Sequence, residues 1–167
     1  QIVSLTIKTG RLGVQASSLS PATFSVEATG TDKYGLPEGN VLGTFENVDR
    51  TVTGVHLDRS GNIVVELAYG FGVEGANTLA YALAEARNLV LDLTYTVTQK
   101  QPITLWGGAS YTFGSFTQGK VVDPEVDAYG SGKAAGLNYR LFTPSRSAQG
   151  KRPLIIWLHG GGEGGWA

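Results

Sequence analysis

The sequence predicts a mainly β protein that begins with an immunoglobulin-like sandwich, and three observations support this. Apolar and polar residues alternate in seven or so segments of the first 116 residues, which is the period of a strand with one buried face. Glycine accounts for 24 of 167 residues, about twice the usual share of roughly 7%, as tight turns require. Short turn-rich connections separate the segments, a spacing typical of an immunoglobulin-like sandwich of about 115 residues.

The alternating segments predict the individual strands. In the first of them Val3, Leu5 and Ile7 share one face. The connection Asp58-Arg-Ser-Gly61 is short and contains glycine, so it predicts a hairpin between its two flanking strands. The longest alternation is in residues 89–98 and predicts a central strand. The predicted strands are residues 2–8, 22–29, 51–57, 62–69, 89–98, 103–106 and 111–116.

Two segments of the sandwich allow alternatives. Residues 30–50 are rich in Gly, Asp, Asn and Pro and predict a long loop, either a Greek-key crossover or a surface that contacts a partner. Residues 76–87 fit a helical spacing and strand alternation equally well. We favour extended structure there, because a sandwich has little room for a long helix. Since the chain has no cysteine, we expect packing alone to hold the core.

Composition excludes several classes of partner. The chain has 13 basic and 14 acidic residues and a net charge of −1, so neither nucleic acid nor an anionic membrane is an expected partner. Its apolar runs are far shorter than the ~20 residues that span a bilayer. Without cysteine there is no disulfide and no thiolate metal site. We expect no cofactor and no bound metal.

The C-terminal segment combines an apolar run with a glycine loop. Residues 154–158 are apolar throughout, which predicts a strand buried on both faces. His159-Gly-Gly-Gly-Glu163-Gly-Gly follows. A glycine loop after a parallel strand directs backbone N–H groups into a crevice where negative charge develops. A phosphate-binding P-loop is excluded, because no Lys, Ser or Thr follows Gly160.

The His-Gly-Gly-Gly sequence resembles the oxyanion-hole loop of α/β-hydrolase lipases and esterases. Residues 136–144 and 151–154 resemble the opening strands of that domain, in the branch of esterases that carry an immunoglobulin-like module ahead of it. The resemblance is most specific over residues 123–165. It implies a secreted serine carboxylesterase in which the backbone amides of Gly161, Gly162 and Glu163 form the oxyanion hole. His159 and Gly160 would support the loop, and His159 would not be the catalytic base.

The resulting domain organisation has three parts: residues 1–118 form the sandwich, 119–135 an interdomain linker, and 136–167 the truncated start of an α/β-hydrolase domain. The nucleophile frame Gly-x-Ser-x-Gly is absent from the sequence. We therefore expect this chain to be inactive alone and to bind an ester substrate only within the full enzyme. The rest of the hydrolase domain, a second chain or a homo-oligomer would complete it. A start at Gln1, directly in a strand, is consistent with a processed, secreted chain.

Two rival hypotheses concern other residues. Exposed rings in the aromatic set Trp106, Tyr111, Phe113 and Phe116 would favour a carbohydrate-binding module, or another non-catalytic interaction module. We favour burial of these rings, because Tyr111 and Phe113 alternate with small residues. Carboxylates at 123, 125 and 127 are the ligand type of Ca²⁺, but such a site needs more ligands and a glycine-turned loop. We favour a solvated linker.

Overall fold

The computed structural model describes residues 1–144 and 153–158. Their compact parts are Gln1–Gln118 and Gly119–Leu158, and each is described by itself. Besides two 3₁₀ helices at Ala16–Ser18 and Pro21–Thr23, fourteen strands and one short α-helix occur in the described residues. They are β1 Ser4–Ile7, β2 Phe24–Thr31, β3 Val41–Leu42, β4 Phe45–Arg50, β5 Val52–Leu57, β6 Ile63–Leu67, β7 Leu79–Ala82, β8 Arg87–Val90, β9 Asp92–Gln99, β10 Ile103–Thr104, β11 Ser110–Tyr111, β12 Ser115–Thr117, α1 Pro124–Asp127, β13 Tyr129–Ala134 and β14 Leu137–Phe142.

The first unit is built from antiparallel sheets. A four-stranded sheet has the order β12-β9-β2-β4, and a three-stranded sheet has the order β1-β6-β5. A further three-stranded sheet, β3-β7-β8, and the hairpin β10-β11 complete the unit. Thr51 alone separates β4 from β5, so the chain passes directly from one sheet to the next. Strand β9 pairs on both sides, which confirms the predicted central strand for residues 92–98, whereas residues 89 and 90 of the predicted strand belong to β8.

The core of the first unit consists of inward-facing residues from these strands. In β2, Phe24, Val26, Ala28 and Gly30 are buried while the residues between them are not. This alternation confirms the pattern predicted for the sandwich. The buried hydrophobic cluster is Ile7, Val14, Phe24, Val26, Ala28, Ile63, Val65, Leu67, Tyr95, Val97 and Ile103.

Residues 30–50 differ from the predicted loop, because they contain β3 and β4. Two features conceal β4 in the sequence. Its buried inward residue at the C-terminal end is Arg50, a charged side chain. Asn47 has a φ of 50°, and the pairing register shifts between Ala28 and Gly30 opposite it. The alternation of apolar and polar residues that marks a strand is therefore interrupted in this segment. Strand β4 nevertheless pairs with β2 on either side of the register shift.

Residues 76–87 follow the extended alternative. Strand β7 pairs with β8 around a turn in which Ala86 has a φ of 49°. Ala80 and Ala82 are buried while Leu79 and Tyr81 are exposed. The alternation therefore predicted this segment better than its alanine content did.

The second unit contains α1 and the hairpin β13-β14. The Asp123 carboxylate accepts hydrogen bonds from the N–H groups of Glu125 and Val126, both at 3.1 Å, and so caps α1. Ala135 and Gly136, with φ of 48° and 83°, join the strands as a two-residue turn. The stretch 119–135 thus contains a helical turn and a strand, where the sequence predicted a linker.

Residues 153–158 have no regular secondary structure. Their apolar side chains from Leu154 to Leu158 are 72–88% exposed. The prediction of a buried strand at 154–158 is wrong for the described chain. A strand requires a neighbouring strand to bond its backbone groups, and no described strand pairs with these residues.

The turn between β5 and β6 confirms the predicted hairpin and is held by Asp58. One carboxylate oxygen accepts from the N–H groups of Ser60 and Asn62 at 2.8 and 2.9 Å. The other accepts from the Asn62 side-chain amide at 2.9 Å. These bonds, the one from the Asn62 side chain above all, lower the pKa of Asp58 below its ordinary value of 3.8.

We expect Asp58→Asn to lower the thermal midpoint at neutral pH, because the amide cannot reproduce all three acceptor contacts. A lowered folded-state pKa stabilises the fold above the unfolded value and loses that effect as pH falls through the folded value. The difference between wild type and variant should therefore shrink below about pH 4. Thermal unfolding followed by circular dichroism measures it. Asp49→Asn, at an exposed position on β4, is the control. An equal fall of the thermal midpoint in Asp49→Asn would contradict a stabilising role for the hydrogen bonds of Asp58.

Candidate functional site

The residues predicted to form the oxyanion hole lie outside the described residues. This applies to Gly161, Gly162 and Glu163 and to the supporting residues His159 and Gly160. Their roles remain predictions.

One face of the β3-β7-β8 sheet is apolar and exposed. Leu42 lies opposite Tyr81, and Leu79 lies opposite Val90. The four side chains are 40–54% exposed. Leu79, Tyr81 and Val90 lie next to buried residues in their strands, and because directly paired residues point to the same side of a sheet, the four share one face. We call these four residues the apolar face. A contiguous group of this kind marks an interaction surface more often than a singly exposed hydrophobic residue does.

The predicted aromatic set divides into two parts. Phe113 lies edge-on to Tyr111 and to Phe116, with ring centroids 5.1 and 6.2 Å apart. Phe113 and Phe116 pack against the core, as the sequence predicted. Trp106 and Tyr111 do not follow that prediction, because they are 78% and 39% exposed. Trp106 lies between β10 and β11, on a turn closed by the Gly108 N–H and the Leu105 carbonyl at 2.9 Å.

A buried arginine lies at the junction of three sheets. Arg50 is 4% exposed. One terminal nitrogen donates to the carbonyl of Gly75 and to the hydroxyl of Tyr95, both at 2.7 Å. The other donates to the carbonyls of Ala68 at 2.7 Å and Ile2 at 3.3 Å. The Tyr95 hydroxyl in turn donates to the Gly75 carbonyl at 2.8 Å.

This network balances a buried cation with neutral acceptors. The described residues give Arg50 no carboxylate partner, and its Nε has no hydrogen-bond partner there. Burial raises the pKa of Tyr95, although the Arg50 charge acts in the opposite direction. The network joins segments next to β1, β6 and β7 to β4 and β9. Besides apolar packing, the core therefore contains a hydrogen-bond network around a buried charge, which the sequence did not predict.

Gly75 fits closely into this network. Its φ is +69°, and a Cβ there would lie 2.9 Å from the Arg50 Cδ and 3.1 Å from the Val48 Cγ1. We expect Gly75→Ala to lower the free energy of unfolding by about 1–3 kcal/mol, measured by urea denaturation. Gly72→Ala is a matched control, since Gly72 has a φ of +78° and a Cβ there would meet nothing within 4 Å. An equal loss in both variants would show that backbone strain alone is responsible.

An open groove of about 400 Å³ lies beside β2 and β4. Ser25, Asp49 and Lys100 are among its lining residues, but no histidine is. The groove therefore lacks a serine–histidine pair for nucleophilic catalysis.

Among residues 1–144 and 153–158 no group of three or more potential metal ligands occurs. In the same residues no helix has the length and apolar character needed to cross a membrane.

The architecture of the first unit agrees with a known family. The model of the esterase Ig-like N-terminal domain matches residues 11–112, more than half of the chain. The chain belongs to this family. The match covers strands β2 to β11, including the hairpin that carries Trp106. The Ig-like domain is therefore an esterase-associated module. None of the curated proteins compared with the chain matches it.

A solved structure supports the fold over a longer stretch. The crystal structure of a thermostable esterase has a TM-score of 0.65 with this chain at 21% sequence identity. The likeness covers 87% of this chain and 39% of that esterase, so the chain spans well under half of its length. At this identity the likeness establishes the fold.

The sequence contained no clear signal for two features of this Ig-like domain. Arg50 lies in a segment that reads as a polar loop, and its acceptors are 18 to 48 residues away along the chain. The apolar face was visible only as the alternation of Leu79 and Tyr81. That alternation does not show which strands pair with β7, nor that Leu79 and Tyr81 remain exposed in the folded chain.

Proposed function

We propose that this chain is the N-terminal part of a secreted serine carboxylesterase. Its Ig-like domain packs on the catalytic domain and supports it. The loop from His159 to Glu163 supplies the oxyanion hole, with the N–H groups of Gly161, Gly162 and Glu163 as donors. The nucleophile, acid and base come from sequence that these 167 residues do not contain.

The family match over residues 11–112 carries this proposal. A domain of this family belongs to esterases, and the His-Gly-Gly-Gly sequence downstream of it is the type of loop that acyl-transfer enzymes use. Backbone N–H groups in such a loop stabilise the oxyanion of a tetrahedral intermediate without needing a titratable side chain. The order of the two features along the chain is the order expected for a module ahead of a hydrolase domain.

The apolar face is an argument for packing of the Ig-like domain on the catalytic domain. Leu42, Leu79, Tyr81 and Val90 present four adjacent hydrophobic side chains. A folded domain with its own apolar patch is a fitting partner, because burying such side chains contributes about 25 cal/mol per Å² removed from water. The near-neutral net charge of −1 likewise favours a partner bound by apolar contact.

Hydrolysis by the full-length protein tests the proposal. We expect a Gly-x-Ser-x-Gly sequence downstream of Glu163 in the encoded precursor and turnover of p-nitrophenyl acetate by the full-length protein. The 167-residue chain alone should show none. Absence of the serine sequence, or an unhydrolysed substrate with the full-length protein, would refute the esterase proposal.

The supporting role has a separate test in the same protein. Tyr81→Ser in the full-length enzyme should lower the free energy of unfolding of the catalytic domain, by about 2 kcal/mol if Tyr81 is a central contact. Leu83→Ser is the matched control, because Leu83 is 49% exposed but lies in the turn after β7. Equal unfolding curves for wild type and Tyr81→Ser would contradict docking through the apolar face.

A further inference from the structure

Trp106 lies with its indole against the backbone of Gly13. Its backbone N–H donates to the Gly13 carbonyl at 2.6 Å. A Cβ on Gly13 would lie 2.8 Å from two atoms of the indole ring, so the ring lies against the Gly13 backbone. An isolated bridge between Val14 and Leu105 fixes the two segments next to each other. One side of the indole is thus supported, and the residue is still 78% exposed.

No side chain crowds the turn that follows the ring. Gly107 and Gly108 come directly after Trp106, and a Cβ at either would meet nothing within 4 Å. The apolar face, by contrast, groups four hydrophobic side chains. A single exposed flat ring fits a ligand with one small apolar face and polar edges.

We propose that Trp106 is a stacking platform for a pyranose ring of a polysaccharide. The C–H groups on one face of a pyranose pack on the π-face of an indole, and its hydroxyls remain at the edge for polar groups and water. Because one side of the ring already rests on the Gly13 backbone, stacking leaves the indole in place and orders no other side chain there. This site is independent of ester hydrolysis and would bring the attached esterase to a glycan surface.

Affinity electrophoresis of the full 167-residue chain tests the proposal. The probes are soluble xylan, glucomannan and mixed-linkage β-glucan, each cast in a native gel. We expect retardation by at least one of them. Trp106→Ala should weaken the apparent affinity at least roughly tenfold, which corresponds to about 1.4 kcal/mol of binding free energy. Trp106→Phe, which keeps a flat ring, should retain part of the binding.

Two further variants separate stacking from general hydrophobic retention. Gly13→Ala keeps the indole but displaces it from its backbone support, so it should also weaken retardation. Phe71→Ala removes a fully exposed ring (relative exposure 108%) from a different loop and should leave retardation unchanged. Thermal midpoints of all variants report folding. The proposal would be overturned if none of the probes retarded the wild-type chain. It would also be overturned if Phe71→Ala and Trp106→Ala reduced the retardation equally.

Discussion

Arg50→Met is expected to lower the free energy of unfolding by roughly 2–6 kcal/mol, because at least the carbonyls of Ala68 and Ile2 lose their donor and each orphaned acceptor costs about 1–3 kcal/mol. The Gly75 carbonyl keeps the Tyr95 hydroxyl as a donor. Methionine fills a similar volume, so cavity formation adds little. Against a typical total stability of about 5–15 kcal/mol, this loss is large. Urea denaturation followed by circular dichroism measures it.

The control for this variant is Arg59→Met, an exposed arginine in the turn between β5 and β6. A surface substitution of this kind changes stability by about 0.5 kcal/mol or less. Tyr95→Phe adds a second test, because the guanidinium and the hydroxyl are in direct contact at 2.7 Å and their effects should not add. If Arg50→Met were no more destabilising than Arg59→Met, the network would contribute nothing to stability.

Gly162→Pro in the full-length enzyme is expected to reduce kcat roughly 10²–10³-fold, the effect of removing one oxyanion-hole donor. Proline has no N–H, so the substitution deletes the proposed donor. The bound ester has no oxyanion, which develops in the transition states and in the tetrahedral intermediates between them, and KM should therefore change little. Steady-state hydrolysis of p-nitrophenyl acetate gives both constants.

Gly162→Ala provides the comparison for this second prediction. It retains the N–H at the same position, so kcat should stay within about tenfold of wild type if donation is what matters. Equal losses of kcat in the proline and alanine variants would assign the effect to loop conformation. A change in KM alone would contradict a role in stabilising the oxyanion.

Local patterns were sufficient for the strands with one apolar face. Alternation in residues 22–29 and 62–69 predicted β2 and β6, and the turn residues at 58–61 predicted the hairpin. Alternation also favoured the extended structure at 79–82. Each of these rests on neighbouring residues, whose side chains point to opposite faces of a strand.

Longer-range features were not predictable in the same way. The alternation over residues 89–98 reads as one strand, yet Leu91 divides it between β8 and β9, which belong to different sheets. The apolar run at 154–158 predicted a buried strand that has no strand partner among the described residues. In both cases the structure depends on which strands pair with each other. The alternation of residues along the sequence does not identify those partners.

Side-chain alternation and short motifs are local properties, and they were sufficient to predict the sandwich class, most of its strands and the resemblance to esterases with an Ig-like domain. Three other features are visible only in the folded chain: the acceptors of Arg50, the exposed face of the β3-β7-β8 sheet, and the contact of Trp106 with Gly13. These depend on groups brought together from distant parts of the chain. A buried charge is tolerated only when such groups supply its hydrogen bonds, and those bonds form only in the folded chain.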